Sequence, residues 1–160
     1  MRRSFMKQFL EQGLKTIYSG MIVLSLFFAG NTGAEMGDSS YKESPLKPVY
    51  ELIEAQQYEK AIDELNKAED NDAEVLNLLG FSHRKLKKYD QALNFYLQAL
   101  ELQPKHKAAN EYLGELYLET GNLAKAKERL AVLDQACFFG CSEYKTLKRA
   151  IKTYEKKQTN

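Results

Sequence analysis

The chain has 160 residues, enough for one modest domain but not two, and its formal net charge is +1. With 44% hydrophobic and 28% charged residues it excludes wholesale disorder, a collagen-like repeat and a disulfide-dense scaffold. Residues 1–34 hold four basic side chains against one acidic, so the remainder carries 19 basic and 21 acidic side chains. That balance gives no electrostatic pull towards phosphate backbones, and no nucleic-acid partner is expected.

The amino end reads as an address. A basic head (Arg2, Arg3, Lys7) precedes an apolar run from Met21 to Ala29, then Gly30-Asn31-Thr32-Gly33-Ala34. Thr32 and Ala34 suit the small-residue pockets of a signal peptidase, so cleavage is expected after about Ala34, with delivery to the bacterial periplasm. The apolar run is far short of the roughly 20 residues that span a bilayer. The alternatives are an organellar presequence and an uncleaved anchor extended by Ile17 and Tyr18, the latter being the one route by which this chain would engage a membrane. Arg2-Arg3-Ser4-Phe5-Met6-Lys7 also resembles a twin-arginine signal, although Met1 stands where Ser or Thr is usual. General secretion and twin-arginine export both remain open, and both lead out of the cytoplasm. Residues 35–44 are small, polar and unpatterned, a flexible leader.

From residue 45 the chain repeats. Gly80 and Gly114 are separated by the same interval as Ala92 and Ala126. In that register Leu76, Leu79, Gly80 and His83 fall over Asn110, Leu113, Gly114 and Tyr117, and Tyr89, Ala92, Tyr96 and Ala99 fall over Leu123, Ala126, Leu130 and Leu133. Tyr58, Ala61, Leu65 and Ala68 give a third copy of the second half upstream, at a slightly shorter interval. Apolar residues recur every three or four positions, predicting paired amphipathic helices. Glycine inside a helix costs about 1 kcal/mol relative to alanine, a cost that makes sense if the missing side chain admits a neighbouring helix. Turn signals stand at Asn71-Asp72, Pro104 and Gly121-Asn122, with Asp72 and Asn122 as expected N-caps.

These residues resemble the tetratricopeptide repeat family. The middle copy has a leucine-glycine pair, a small Ala92, the aromatic Tyr96, a small Ala99 and a closing Pro104, all at family spacing. The third copy departs from it, with Asn110, Leu130 and Phe138 at slots usually held by two aromatics and proline. The resemblance implies an all-α, right-handed solenoid of two to three helical hairpins. The expected divisions are a degenerate repeat over 45–70 whose first helix starts near Pro48, full repeats over 73–106 and 107–136, a capping helix over 142–155 begun by Ser142, and a frayed tail over 156–160.

Cys137 and Cys141 are the two cysteines, four apart around Gly140. In an oxidising compartment such a pair is expected to close a disulfide that fixes the angle between the third repeat and the capping helix. Free buried thiols, thiol-redox chemistry and metal handling are the alternatives. A three-residue spacer is unusual for redox pairs, and zinc would need further ligands while His83 and His106 are distant in sequence. The segment Cys137-Phe138-Phe139-Gly140-Cys141-Ser142-Glu143-Tyr144 resembles one in small exported bacterial tetratricopeptide proteins.

No nucleophile-base pair, phosphate-cradling loop or histidine cluster is present, so neither catalytic residues nor a metal or other cofactor is expected. The family resemblance implies instead a non-enzymatic adaptor that binds a peptide or helix of a partner protein on the concave face of its first helices. By motif position that face would present Tyr50, Asn77, Phe81, Arg84, Lys85, Glu111, Glu115 and Glu119, running from basic at Arg84 and Lys85 to acidic at the glutamates. Phe81 reads equally as groove anchor or core, and His83 as packed. A membrane-anchored envelope assembly subunit is a further alternative, and the exposed ends of so short a stack also allow self-association.

Overall fold

The computed structural model describes residues 45–159, all within the unit Tyr41–Asn160. The signal and leader expected over residues 1–44 lie outside the described residues. Among the described residues there are seven α-helices and no strand: α1 (Lys47–Glu54), α2 (Tyr58–Leu65), α3 (Ala73–Lys85), α4 (Tyr89–Leu102), α5 (Lys107–Glu119), α6 (Leu123–Ala136) and α7 (Ser142–Gln158). None is long and apolar enough to cross a membrane.

Each hairpin is closed by the same turn. Gln56, Lys87 and Gly121 take left-handed backbone (φ 57°, 59° and 81°). The next amide then donates five residues back, Gln57 to Leu52, Lys88 to His83 and Asn122 to Tyr117, at 2.8, 2.9 and 2.6 Å. This ties off carbonyls left orphaned by the ending helix. A side chain in that conformation costs roughly 1 kcal/mol, a cost that glycine removes in the third turn, the one marked by Gly121-Asn122.

Asp72 and Asn122 cap α3 and α6 as expected. The Asp72 carboxylate accepts from the Glu74 and Val75 amides at 2.9 and 2.8 Å, and Asn122 Oδ1 from Lys125 at 3.2 Å. At α7 two expectations are corrected. The cap is Cys141, whose extended backbone lets its sulfur accept from the Tyr144 amide at 3.5 Å, while Ser142 is already helical and donates to Glu143. The helix also runs to Gln158, beyond the expected end at 155, because Lys156 and Lys157 complement the negative end of its dipole.

Small side chains sit where helices meet. Ala61, Ala92 and Ala126 are fully buried, one on the second helix of each hairpin. A Cβ on Gly80 would lie 2.6 Å from the Tyr96 ring, and one on Gly114 would lie 2.5 Å from Leu147. The glycines therefore serve close approach in both places, but from different directions: Tyr96 belongs to the same hairpin, Leu147 to α7.

The repeat register runs on through α7. Leu79, Leu113 and Leu147 are in step, as are His83, Tyr117 and Ile151. The turn before α5, with His106 N–H on Gln103 O at 2.9 Å, recurs before α7 as Gly140 N–H on Cys137 O at 2.8 Å. Helix α7 thus stands where a fourth hairpin would begin. The glycine slot holds exposed Lys148, as expected if no second helix must approach there.

Candidate functional site

Helix α5 packs against α3, and α7 against α5, whereas the second helices α4 and α6 do not pack on one another to that degree. The stack is tighter on the side of its first helices, which makes that side the inner one. Most of the residues expected there by motif position meet along it.

At its start, Tyr50 on α1 donates to Glu74 on α3 at 2.8 Å. Partial burial and the facing carboxylate push the Tyr50 phenol up to about 12. Glu74 also accepts from His106 Nε2 at 2.9 Å and from the Asn77 amide at 3.3 Å. Burial alone would raise the Glu74 carboxyl, but hydrogen bonds from His106, Tyr50 and Asn77 outweigh it and hold the group below the usual carboxylate range. His106 does two things at once: Nδ1 caps α5 by accepting from Ala109 at 3.2 Å, which leaves Nε2 to donate to Glu74. One carboxylate thereby joins three successive first helices.

Further along, Arg84 and Asn77 differ from expectation. Arg84 is 7% exposed, and Asn77 is buried. The Arg84 guanidinium donates through Nη2 to Glu115 at 2.7 Å and through Nη1 to Glu119. It lies 5.7 Å from the Tyr112 ring and 5.8 Å from Phe81, within cation–π range of both. The Tyr96 side chain is fully buried, and burial holds its phenol neutral, well above the usual tyrosine range. Burial would lower the Arg84 pKa, but the Glu115 and Glu119 carboxylates in contact with it hold it above the ordinary arginine value. Arg84 therefore spends its charge internally, because a buried cation needs paired carboxylates to persist. The basic end of the inner face reduces to exposed Lys85, whose Nζ stands 5.6 Å over Phe81.

Phe81 is half-buried between two tyrosines, 6.3 Å from Tyr58 and 4.9 Å from Tyr112. It is both wall and floor, joining α2, α3 and α5. Glu111 is likewise half-buried, and desolvation with repulsion from Glu115 and Glu143 pushes its carboxyl up to about 7, partly offset by Arg84. His83 is packed as expected, stacked 5.2 Å from Phe95.

A hollow of about 400 Å³ lies between α5 and α7, lined by Glu115, Leu118, Glu119, Ala150, Thr153, Tyr154 and Lys157. Its α7 wall is absent from the expected residues. Carrying the repeat once more would have found it, since Thr153 continues the register that aligns Lys85 with Glu119. Cys137 and Cys141 are joined in a disulfide, with α-carbons 5.6 Å apart.

With this geometry in view, residues 83–151 match the family described as tetratricopeptide repeat. Over 56 residues the chain is 36% identical to the uncharacterized protein ycf37 of Guillardia theta, a stretch that covers 35% of this chain and 32% of that one. The chain thus spans about a third of the length of the curated relative it matches. Among solved structures it resembles PcrH in complex with the chaperone binding region of PopB, with TM-score 0.57 and 17% identity over 66% of this chain and 88% of that one. It also resembles the Hsp90 co-chaperone Cns1 from Saccharomyces cerevisiae, with TM-score 0.60 and 18% identity over 75% of this chain and 43% of that one. At such identities the likeness speaks for architecture alone, and it is decisive there: the described residues form a solenoid of tetratricopeptide-like helical hairpins.

Proposed function

We propose that this chain is a non-enzymatic adaptor of the bacterial periplasm that holds a peptide or helix of a partner protein along its inner face. The observation that carries the reading is the buried Arg84 cluster. Glu115, Glu119, Phe81 and Tyr112 converge on one guanidinium and lock α3 to α5, so the partly exposed aromatics and the adjoining α5–α7 hollow form a pre-organised surface. Rigid surfaces of this kind bind with less ordering cost than flexible ones. The PcrH fold, bound to a segment of PopB, supports the same use of the architecture. The export reading rests on the basic head, short apolar run and small residues before Glu35.

Photo-crosslinking side chains placed at Lys85 and Thr153, on the inner face, test the reading against Leu97, which is exposed on the second helix α4. The expected result in the producing cell is one discrete partner adduct from both inner positions and none from Leu97. Equal labelling from both faces would overturn the groove. A mature mass that does not begin near Glu35, or recovery in the cytoplasm, would overturn the location.

A further inference from the structure

Two features at the carboxy end lie outside the Arg84 cluster. The first is the pair Phe138 and Phe139, 92% and 96% exposed and the most exposed large apolar side chains among the described residues. Their rings are 5.6 Å apart, edge to face, on the short loop closed by Cys137–Cys141. The loop is tied down on both sides. Gly140 turns it with φ 75° and donates to Cys137 O, and Cys141 caps α7. Two large apolar rings held almost wholly in water on a cross-linked turn are not packing residues of the fold, which buries its other aromatics at least in part.

The second feature is the charge of α7. Six basic side chains against two acidic give this helix +4, whereas residues 45–141 carry 12 basic and 16 acidic, a net of −4. At 100° per residue, Lys145, Arg149, Lys152 and Lys156 fall in one stripe opposite the buried Leu147 and Ile151, and all four are exposed. The stripe is about 16 Å long at 1.5 Å per residue. It begins beside the loop, because a Cβ on Gly140 would touch the Lys145 stem at 3.8 Å.

The register says what this face replaces. Lys145, Arg149 and Lys152 occupy the positions of Asn77, Phe81 and Arg84, of which Phe81 and Arg84 meet Tyr112 and Glu115 on α5. Stacking another hairpin on α7 would bury a row of like charges unless that hairpin brought carboxylates to them. A flat, negatively charged and deformable surface satisfies both features, taking apolar rings below its charged layer and cations at it.

We infer that the disulfide-closed Phe138–Phe139 tip and the basic stripe of α7 form a docking surface for an anionic lipid membrane. The loop inserts its two rings at the headgroup boundary while Lys145, Arg149, Lys152 and Lys156 lie along the headgroups. Reduction of the disulfide loosens the tip and weakens docking.

The chain contains no tryptophan, so Phe139→Trp makes a single reporter at the tip. Full-length Phe139→Trp protein is titrated with mixed vesicles of phosphatidylcholine and phosphatidylglycerol, and with vesicles of phosphatidylcholine alone. A blue shift with the anionic vesicles is expected, at least tenfold weaker without phosphatidylglycerol and suppressed by salt. In co-sedimentation, Phe138→Ser/Phe139→Ser and Lys145→Glu/Arg149→Glu each reduce binding tenfold or more relative to the full-length parent. Residues 1–44 are the same in every arm, and circular dichroism checks the fold. An unshifted reporter, or unchanged binding by both variants, overturns the proposal. So does a blue shift that grows with protein concentration in the absence of vesicles, which would assign the tip to a second copy.

Discussion

Helix α5 is flanked by two seams built on opposite physics. Towards α3 the contact is electrostatic: one buried guanidinium, two carboxylates and two aromatic faces. Towards α7 it is steric: Leu147 drops into the gap left by Gly114, and the charges nearby repel, Glu111 facing Glu115 and Glu143. The same repeat register thus specifies where helices meet without specifying how. In the middle hairpin the glycine gap is filled from within by Tyr96. In the third the smaller Leu130 stands at that slot, and the next helix fills the gap instead. An attractive seam depends on the survival of its charges, and a steric seam depends on volume, so different substitutions separate them.

The largest effect is expected from stripping Arg84 of its partners. In Glu115→Gln/Glu119→Gln the guanidinium, 7% exposed, is left without its two carboxylates. An uncompensated buried charge destabilises by about 3 kcal/mol or more, which urea unfolding would read directly. Adding Arg84→Met should restore most of that loss, because removing both sides of a buried pair is close to neutral. If the triple variant is no better than the double, the seam is held by shape and the contrast collapses.

Across the other seam, Leu147→Ala should cost about 3 kcal/mol, within the usual range for a fully buried leucine. Its signature is local. Hydrogen exchange should rise in α7 and the end of α6, while α3 and α4 keep their protection. The carboxylate variant should show the reverse distribution, loosening the α3–α5 contact first. Uniform exchange in both would mean one cooperative block with no distinct seams.

Much of this was readable from periodicity alone, since small residues at fixed intervals are a direct statement of close approach. Ala92, Ala126, Gly80 and Gly114 announced the hairpins, and Asp72 and Asn122 announced two helix starts. What stayed hidden depended on partners distant in sequence. Arg84 reads as a groove cation until Glu115 and Glu119, a whole repeat further along the chain, are folded onto it. His106 shows nothing of its double role until α5 is placed beside Glu74. The turns at Gln56 and Lys87 carry no glycine and so no signal. The inner wall on α7 was legible in principle, but Lys148 occupies the glycine slot and masks the continued repeat.

The smallest effect tests the repulsive side of the α5–α7 seam. The Glu111 carboxyl is raised from 4.5 to about 7, by desolvation first and by Glu115 and Glu143 second. A carboxyl raised by folding favours the folded state while it is protonated. Its contribution is full below about 4.5, where folded and unfolded chains both hold the proton, and is lost as pH rises through the folded value near 7. The shift alone corresponds to about 3 kcal/mol, which solvent at this partly exposed group reduces to about 1 kcal/mol. Glu111→Gln, fixed in the neutral form, should therefore be more stable than the parent by about that amount at pH 8 and indistinguishable from it at pH 4. Glu143→Gln should keep the same sign with a smaller gain, since it removes one of the two repelling neighbours and leaves the desolvation in place. Parallel stability curves for Glu111→Gln and the parent across this pH range would mean the carboxyl is well hydrated, and the seam would then be steric without being repulsive.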